Sequence, residues 1–181
     1  YDAALLSLSA FAGESIDAML EHCRRIAAII PVIGFYLQPS VGGRILPYEF
    51  WREFAQIENV IGIKMAPFNR YCTLDVVRAV AGSDREITLY TGNDDNIAAD
   101  LLTEYRFGGK RLRIKGGLLG HWSIWTANVV KMFAMLKDAK ASDDLLTLAA
   151  QVTDCNSAFF DNISIFSFFI LSLLFDVGFK S

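Results

Sequence analysis

The chain has 181 residues, 17 Lys+Arg against 20 Asp+Glu for a net charge of -3, and 53% hydrophobic content with 13% aromatics. That length suits one domain with a real core and is too short for a complete (β/α)8 barrel, which takes roughly 250 residues. The mild negative balance leaves no electrostatic footprint for nucleic acid, and the aromatic content argues against disorder.

Tyr1 is not followed by a basic region and an apolar core, so no signal peptide is expected. The first apolar, β-prone run is Ala4–Ser9. Ser15 can then cap a helix over Ile16–Ala28, with Asp17 favourable in its first turn. Pro31–Tyr36 is the second run, and Pro47 suits the first turn of a helix through Phe54. Val60–Lys64 follows, then a helix over Leu74–Ala81 capped by Thr73 and closed by Gly82. The fourth run is Ile87–Tyr90, after which Asn93 or Asp94 can cap Ile97–Tyr105. Leu112–Leu119 is the fifth run, Ser123 opens a long helix to about Ala139, and Ser142-Asp143-Asp144 starts another. These runs are apolar without strict alternation, as strands buried on both faces of a parallel sheet should be.

Strand then helix, five times over, reads as stacked β/α units. Tyr36, Lys64 and Gly92 stand 28 and 28 residues apart, with Ser9 27 before and Leu119 27 after. A β/α unit takes roughly 30 residues. All five positions should therefore lie at the carboxyl end of one parallel sheet, where α/β folds place their ligands. No G-x-G-x-x-G or Walker-type loop follows any strand, so a nucleotide site is unsupported. Gly42-Gly43, Gly108-Gly109 and Gly116-Gly117 read as turns or strand starts.

Lys64, ending an apolar run, is either an amine whose pKa falls on burial and which attacks carbonyls or a lysine that snorkels to water. Tyr36 ends the adjacent strand and is expected beside Lys64, as a proton relay or as a packed aromatic with its hydroxyl on backbone. Gly92 lets a ligand or another backbone approach. Asp94 and Asp95 read first as stabilising a helix amino terminus. His121 should face the same mouth, as an acid/base group or a hydrogen-bonded loop residue, whereas His22 reads as surface. Two distant histidines give a divalent metal little support. Cys23, Cys72 and Cys155 include no C-x-x-C pair, which points to a reducing, cytoplasmic setting. The apolar run 163–175 has 13 residues, short of the roughly 17–25 of a membrane-spanning helix, and is read as a buried or partner-covered helix.

Four segments carry a resemblance. I-P-V-I-G-F-Y-L-Q-P-S-V-G-G (30–43) resembles the fifth-strand signature of the dihydrodipicolinate synthase and N-acetylneuraminate lyase family. N-V-I-G-I-K (59–64) is similar to the sixth-strand segment ending in that family's Schiff-base lysine. T-G-N-D-D (91–95) is similar to its seventh-strand Gly-Asp-Asp region, and G-G-L-L-G-H-W-S-I-W-T-A-N (116–128) holds the eighth-strand position. The resemblance covers roughly residues 3 to 150.

It implies an α/β fold, a partial (β/α)8 TIM barrel of about five parallel units (1–140), followed by a helical segment with an apolar tail (141–181). It also implies pyruvate-type aldol or lyase chemistry through a Lys64 imine, with Tyr36 shuttling protons. Gly92, Asn93, Leu118, Leu119 and His121 would line the substrate site, for a 2-oxo acid and an aldehyde, with no metal or organic cofactor. Met65, Leu37-Gln38, Asn93 and His121-Trp122 depart from the family pattern and mark a divergent branch.

The chain begins at what would be the fourth strand, so three units, about 90 residues at roughly 30 each, would be missing. Unpaired edge strands then predict self-association as a homo-oligomer and poor turnover. A catalytically inactive remnant serving as an interaction module is the competing reading. A metal-dependent aldolase using Asp94, Asp95 and His121 is a third.

Overall fold

In the computed structural model, residues 1–160 are described. The apolar run 163–175, and with it the end of the expected helical segment, lies outside them. Strand β1 (Ala4–Leu6) leads to α1 (Ile16–Ala27), β2 (Val32–Leu37) to α2 (Tyr48–Phe54), β3 (Val60–Ala66) to α3 (Arg70–Gly82), and β4 (Thr88–Thr91) to α4 (Ile97–Leu102). A hairpin, β5 (Glu104–Phe107) and β6 (Lys110–Arg113), precedes β7 (Gly116–Gly117). Helices α5 (His121–Ile124), α6 (Thr126–Leu136) and α7 (Asp143–Phe160) close the order. The parallel sheet runs β1-β2-β3-β4-β7, so the repeated β/α reading holds.

Local chemistry explains the element ends. Ser15 Oγ accepts the Ala18 N–H at 3.2 Å and caps α1 as expected. Helix α3 begins earlier than Leu74, because Asn69 Oδ1 accepts from the Tyr71 and Cys72 amides. Thr73 therefore lies inside the helix, donating to Asn69 O at 3.3 Å. Helix α4 ends at Leu102, not Tyr105, and its N-cap is Asn96.

The run Leu112–Leu119 is not one strand. Gly108 and Gly109 both take positive φ, 56° and 77°, the backbone a two-residue hairpin turn needs. Lys110–Arg113 accordingly folds back on Glu104–Phe107, and only Gly116–Gly117 joins the parallel sheet. The hairpin is pinned to α3 by Arg78 over the Phe107 ring and by Lys110 Nζ donating to Ser83 O.

Register decides which side chains share a face. Val32 pairs with Val60 but Ile33 pairs with Gly62, so Ile61 is an extra residue in β3, a β-bulge. From there Phe35 pairs with Lys64, and Tyr36 with Met65. Neighbouring positions on a strand point to opposite faces. Gly34 and Tyr36 face α2: a Cβ on Gly34 would lie 2.7 Å from the Phe54 ring, and the Tyr36 and Trp51 ring centroids are 4.9 Å apart. That face holds the core, with Phe50, Trp51, Phe54, Ile63, Met65, Val76 and Val77 buried. Phe35, Lys64 and Tyr90 share the register line on the other face.

Candidate active site

Lys64 is 6% exposed, held near the carboxyl end of β3 on the sheet face away from α2. Its Nζ lies 4.0 Å from the centroid of the Phe35 ring, within cation–π range. Gly92 leaves the space its stem fills, since a Cβ there would sit 2.9 Å from Lys64 Cε and 2.8 Å from Ala66 Cβ. The 28-residue spacing explains this contact. Lys64 pairs with Tyr90, and two residues further along β4 returns to the same face. Gly92 is thus first a cavity for the lysine, and its N–H is taken by Met65 O at 2.6 Å.

Burial drives the Lys64 pKa down from its ordinary 10.5 to about 8, opposed by the negative charge of Asp94. Asp94 is itself buried, and burial lifts it from 3.8 to about 6 against the His121 N–H and the Lys64 charge. No direct ion pair between the two occurs among the described residues, so their coupling acts through space. Asp94 Oδ1 accepts the His121 backbone N–H at 3.3 Å. His121 Nδ1 lies 2.6 Å from Asn156 Oδ1, and Asn156 Nδ2 donates to Asp94 O at 2.7 Å. Thr153 Oγ1 adds a bond to Asp95 O at 2.9 Å. Helix α7 is therefore fastened to the loop after β4. Lys64, Asp94, His121 and Asn156, from four different segments, are all buried.

Tyr36 is not beside Lys64, and that expectation is corrected. Tyr36 keeps the helix-side face of Val32 and Gly34, whereas the bulge at Ile61 turns Lys64 to the other face, and the Tyr36 hydroxyl meets Leu46 N and Leu46 O, each at 3.2 Å. Burial and the neighbouring Cys72 raise its pKa further above the ordinary phenol value.

Asn93 is likewise engaged by protein. Its Oδ1 accepts the Phe68 N–H at 3.1 Å, and its Nδ2 reaches Asp100 Oδ2 at 3.2 Å and Thr73 Oγ1 at 3.4 Å. Asp100 also accepts from Arg70, Thr91 and Asn96. This network holds Phe68 in the left-handed region, φ 52°, a conformation uncommon for a bulky residue. Leu119 is buried in the core, and Leu118 is 41% exposed with its N–H on Thr91 O. Asp94, Asp95 and His121 form no metal-holding group among the described residues. No described helix is long and apolar enough to cross a membrane. A surface cavity of about 600 Å³, lined by Arg24, Ala27, Glu58 and Asn59, lies at the opposite, amino-terminal sheet edge.

Phe35 and Asn156 are absent from the sequence reading. Only the register could have placed Phe35. Asn156 had a signal, because it continues the stripe Leu145, Leu148, Val152 at helical spacing, and a polar residue on a buried stripe marks a bonded site.

No family profile matches the chain. A 4-hydroxy-tetrahydrodipicolinate synthase of Alkaliphilus oremlandii is 37% identical over 81 residues, 44% of this chain and 27% of that protein. The solved dihydrodipicolinate synthase of Bacteroides thetaiotaomicron superposes with a TM-score of 0.71 at 15% identity, over 99% of this chain and 58% of that one. The chain thus spans just over half of the solved relative, and its parallel sheet has the fold of part of a TIM barrel.

Proposed function

We propose, from its likeness to dihydrodipicolinate synthases, that the chain is part of a member of that family and that Lys64 forms a Schiff base with a 2-oxo acid of the pyruvate class. The observation that carries the reading is Lys64 itself, a buried strand-end amine whose pKa stands at about 8. Near neutrality a useful fraction of it is the neutral nucleophile.

The neutral amine adds to the ketone carbon, and the resulting carbinolamine loses water to give a protonated imine. That cation draws electrons from the neighbouring carbon, so a proton or a C–C bond there breaks to leave an enamine. The enamine carbon then adds to an aldehyde, or the sequence runs in reverse as a lyase. Asp94, with a carboxyl pKa of about 6 and in electrostatic contact with Lys64, takes the proton the ammonium must lose and returns it to the departing hydroxyl. Tyr36 has no part in this relay, because its hydroxyl is held by Leu46 on the other face. The substrates, and assembly of the chain into a homo-oligomer, belong to the same proposal.

One observation favours a second reading, an inactive interaction module. Among the described residues β1 and β7 are each paired on one side only, which leaves edges able to pair with another chain. Borohydride reduction in the presence of pyruvate, followed by peptide mass mapping, separates the two. A reduced adduct on Lys64, lost in Lys64→Ala, is expected. A folded chain that stays unmodified overturns the Schiff-base reading in favour of the module.

A further inference from the structure

Helix α7 reaches the site through one side chain whose orientation can be deduced. A backbone carbonyl only accepts, so the Asn156 atom 2.7 Å from Asp94 O is its NH2 group. Its carbonyl oxygen must then be the atom 2.6 Å from His121 Nδ1. That oxygen also only accepts, so Nδ1 of His121 carries the proton, and in the neutral ring Nε2 carries a lone pair. Nε2 has no hydrogen-bond partner among the described residues. The ring cannot turn freely, because it lies 4.7 Å from the Trp125 ring and is 6% exposed.

We propose that Asn156 is a positioning residue that locks His121 in the Nδ1–H tautomer, making its Nε2 a ready proton acceptor and helix α7 a working part of the site. The same amide steadies the Asp94 backbone, so one side chain sets the proton-carrying groups of two loops. Use of Nε2 to remove the proton beside the imine rests on the Schiff-base reading, whereas the tautomer does not. The ring meets Trp125 from the α5–α6 junction and Asn156 from α7, Gln151 and Cys155 of α7 line the same cavity as His121, and Asp94 meets His121 at its backbone amide. Burial favours the neutral ring.

The test uses the full chain labelled with 15N-histidine, whose two histidines make assignment direct when His22→Gln removes the other signal. Two-bond 1H–15N spectra at pH 7 should show a protonated Nδ1 and a bare Nε2 for His121. Asn156→Leu should move the population several-fold toward the Nε2–H form, whereas Asn156→Asp, which keeps an acceptor opposite Nδ1, should retain the tautomer and raise the pH at which the ring charges. A wild-type ring protonated on Nε2, or an Asn156→Leu chain with unchanged tautomer, overturns the proposal. If Asn156→Leu fails to fold, the wild-type and Asn156→Asp spectra decide it. Exchange of pyruvate methyl protons in D2O then reads the catalytic use. Asn156→Leu should slow exchange tenfold or more relative to borohydride trapping, and equal loss of both counts against a positioning role. Absence of trapping in the wild type would sink the Schiff-base reading while leaving the spectra to judge the tautomer.

Discussion

Lys64 Nζ stands 4.0 Å from the centroid of the Phe35 ring, and this pairing follows from a single extra residue in β3. Without the bulge, the register Val32 to Val60 would continue and bring Tyr36 level with Lys64. With it, Lys64 passes to the face away from α2, and a phenyl ring, not the phenol, stands level with it. The exchange matters chemically. A phenyl ring attracts a cation but moves no protons, so under the proposed Schiff-base reading proton transfer falls to Asp94 and His121.

Tyr36→Phe tests that assignment. It removes the hydroxyl bonded to Leu46 N and O, which leaves a buried amide and carbonyl without that partner. A stability loss of about 1–3 kcal/mol is expected in denaturant unfolding. Trapping of pyruvate at Lys64 should be unchanged per folded molecule. A tenfold loss of trapping with stability intact would return the proton relay to Tyr36.

Lys64→Met should stabilise the chain while abolishing the adduct. The fall of the lysine pKa from 10.5 to about 8 means the folded state holds the charge less well than the unfolded chain does. That displacement corresponds to about 3 kcal/mol of penalty below pH 8. Between pH 8 and 10.5 the unfolded chain binds more protons, so the penalty fades as pH rises through that window. The gain in melting temperature should therefore be largest near pH 7, reduced in part because Asp94 loses its counter-charge, and should vanish above pH 10.5. A destabilised Lys64→Met at pH 7 would show that the lysine is held for structure.

The β/α repeat was legible because each unit carries its own signals: apolar runs at Pro31–Tyr36 and Val60–Lys64, a cap at Ser15, turn glycines at 108 and 109. Lys64 was legible only in part, since the apolar run Val60–Lys64 left burial and snorkelling both open and the family resemblance favoured burial. What the pattern could not carry was the phase of one strand against the next. Equal 28-residue spacing implies equal register only when no residue is extra, and nothing in V-I-G-I-K marks Ile61 as the bulge. Asn93 shows a second limit. Its position suggested a helix cap and the family resemblance a substrate contact, yet the buried Asp100 that it bonds stands seven residues away in a helix.

That claim makes Asn93→Asp a sharp substitution. Asn93 gives an N–H to Asp100 while accepting from Phe68, and a carboxylate can only accept. Two buried carboxylates would then face each other, with Arg70 as the ion-paired cation on Asp100 and the Asp100 pKa already raised by burial. A loss of about 1–3 kcal/mol is expected at pH 7. It should shrink as pH falls and one carboxyl takes a proton, because the folded form then binds more protons than the unfolded one. Thermal melts at pH 7 and pH 5 check the sign, and an equal loss at both would exclude carboxylate repulsion as its cause.

Asp94→Asn asks whether the carboxylate tunes the lysine. Burial pulls the Lys64 pKa down and the Asp94 charge pushes it back up, so removing the charge should take the lysine below about 8. The neutral amine would then be more abundant at pH 7, and a rate of imine formation limited by amine ionisation alone would rise. In the proposed mechanism Asp94 also carries the proton that lets water leave, a step the amide cannot perform. The expected outcome is a pH profile for trapping displaced to lower pH together with a plateau rate at least tenfold lower. A displaced profile with an unchanged plateau would leave Asp94 only its electrostatic effect on Lys64. A profile that does not move would show that the two groups are not coupled, and would remove Asp94 from the site altogether.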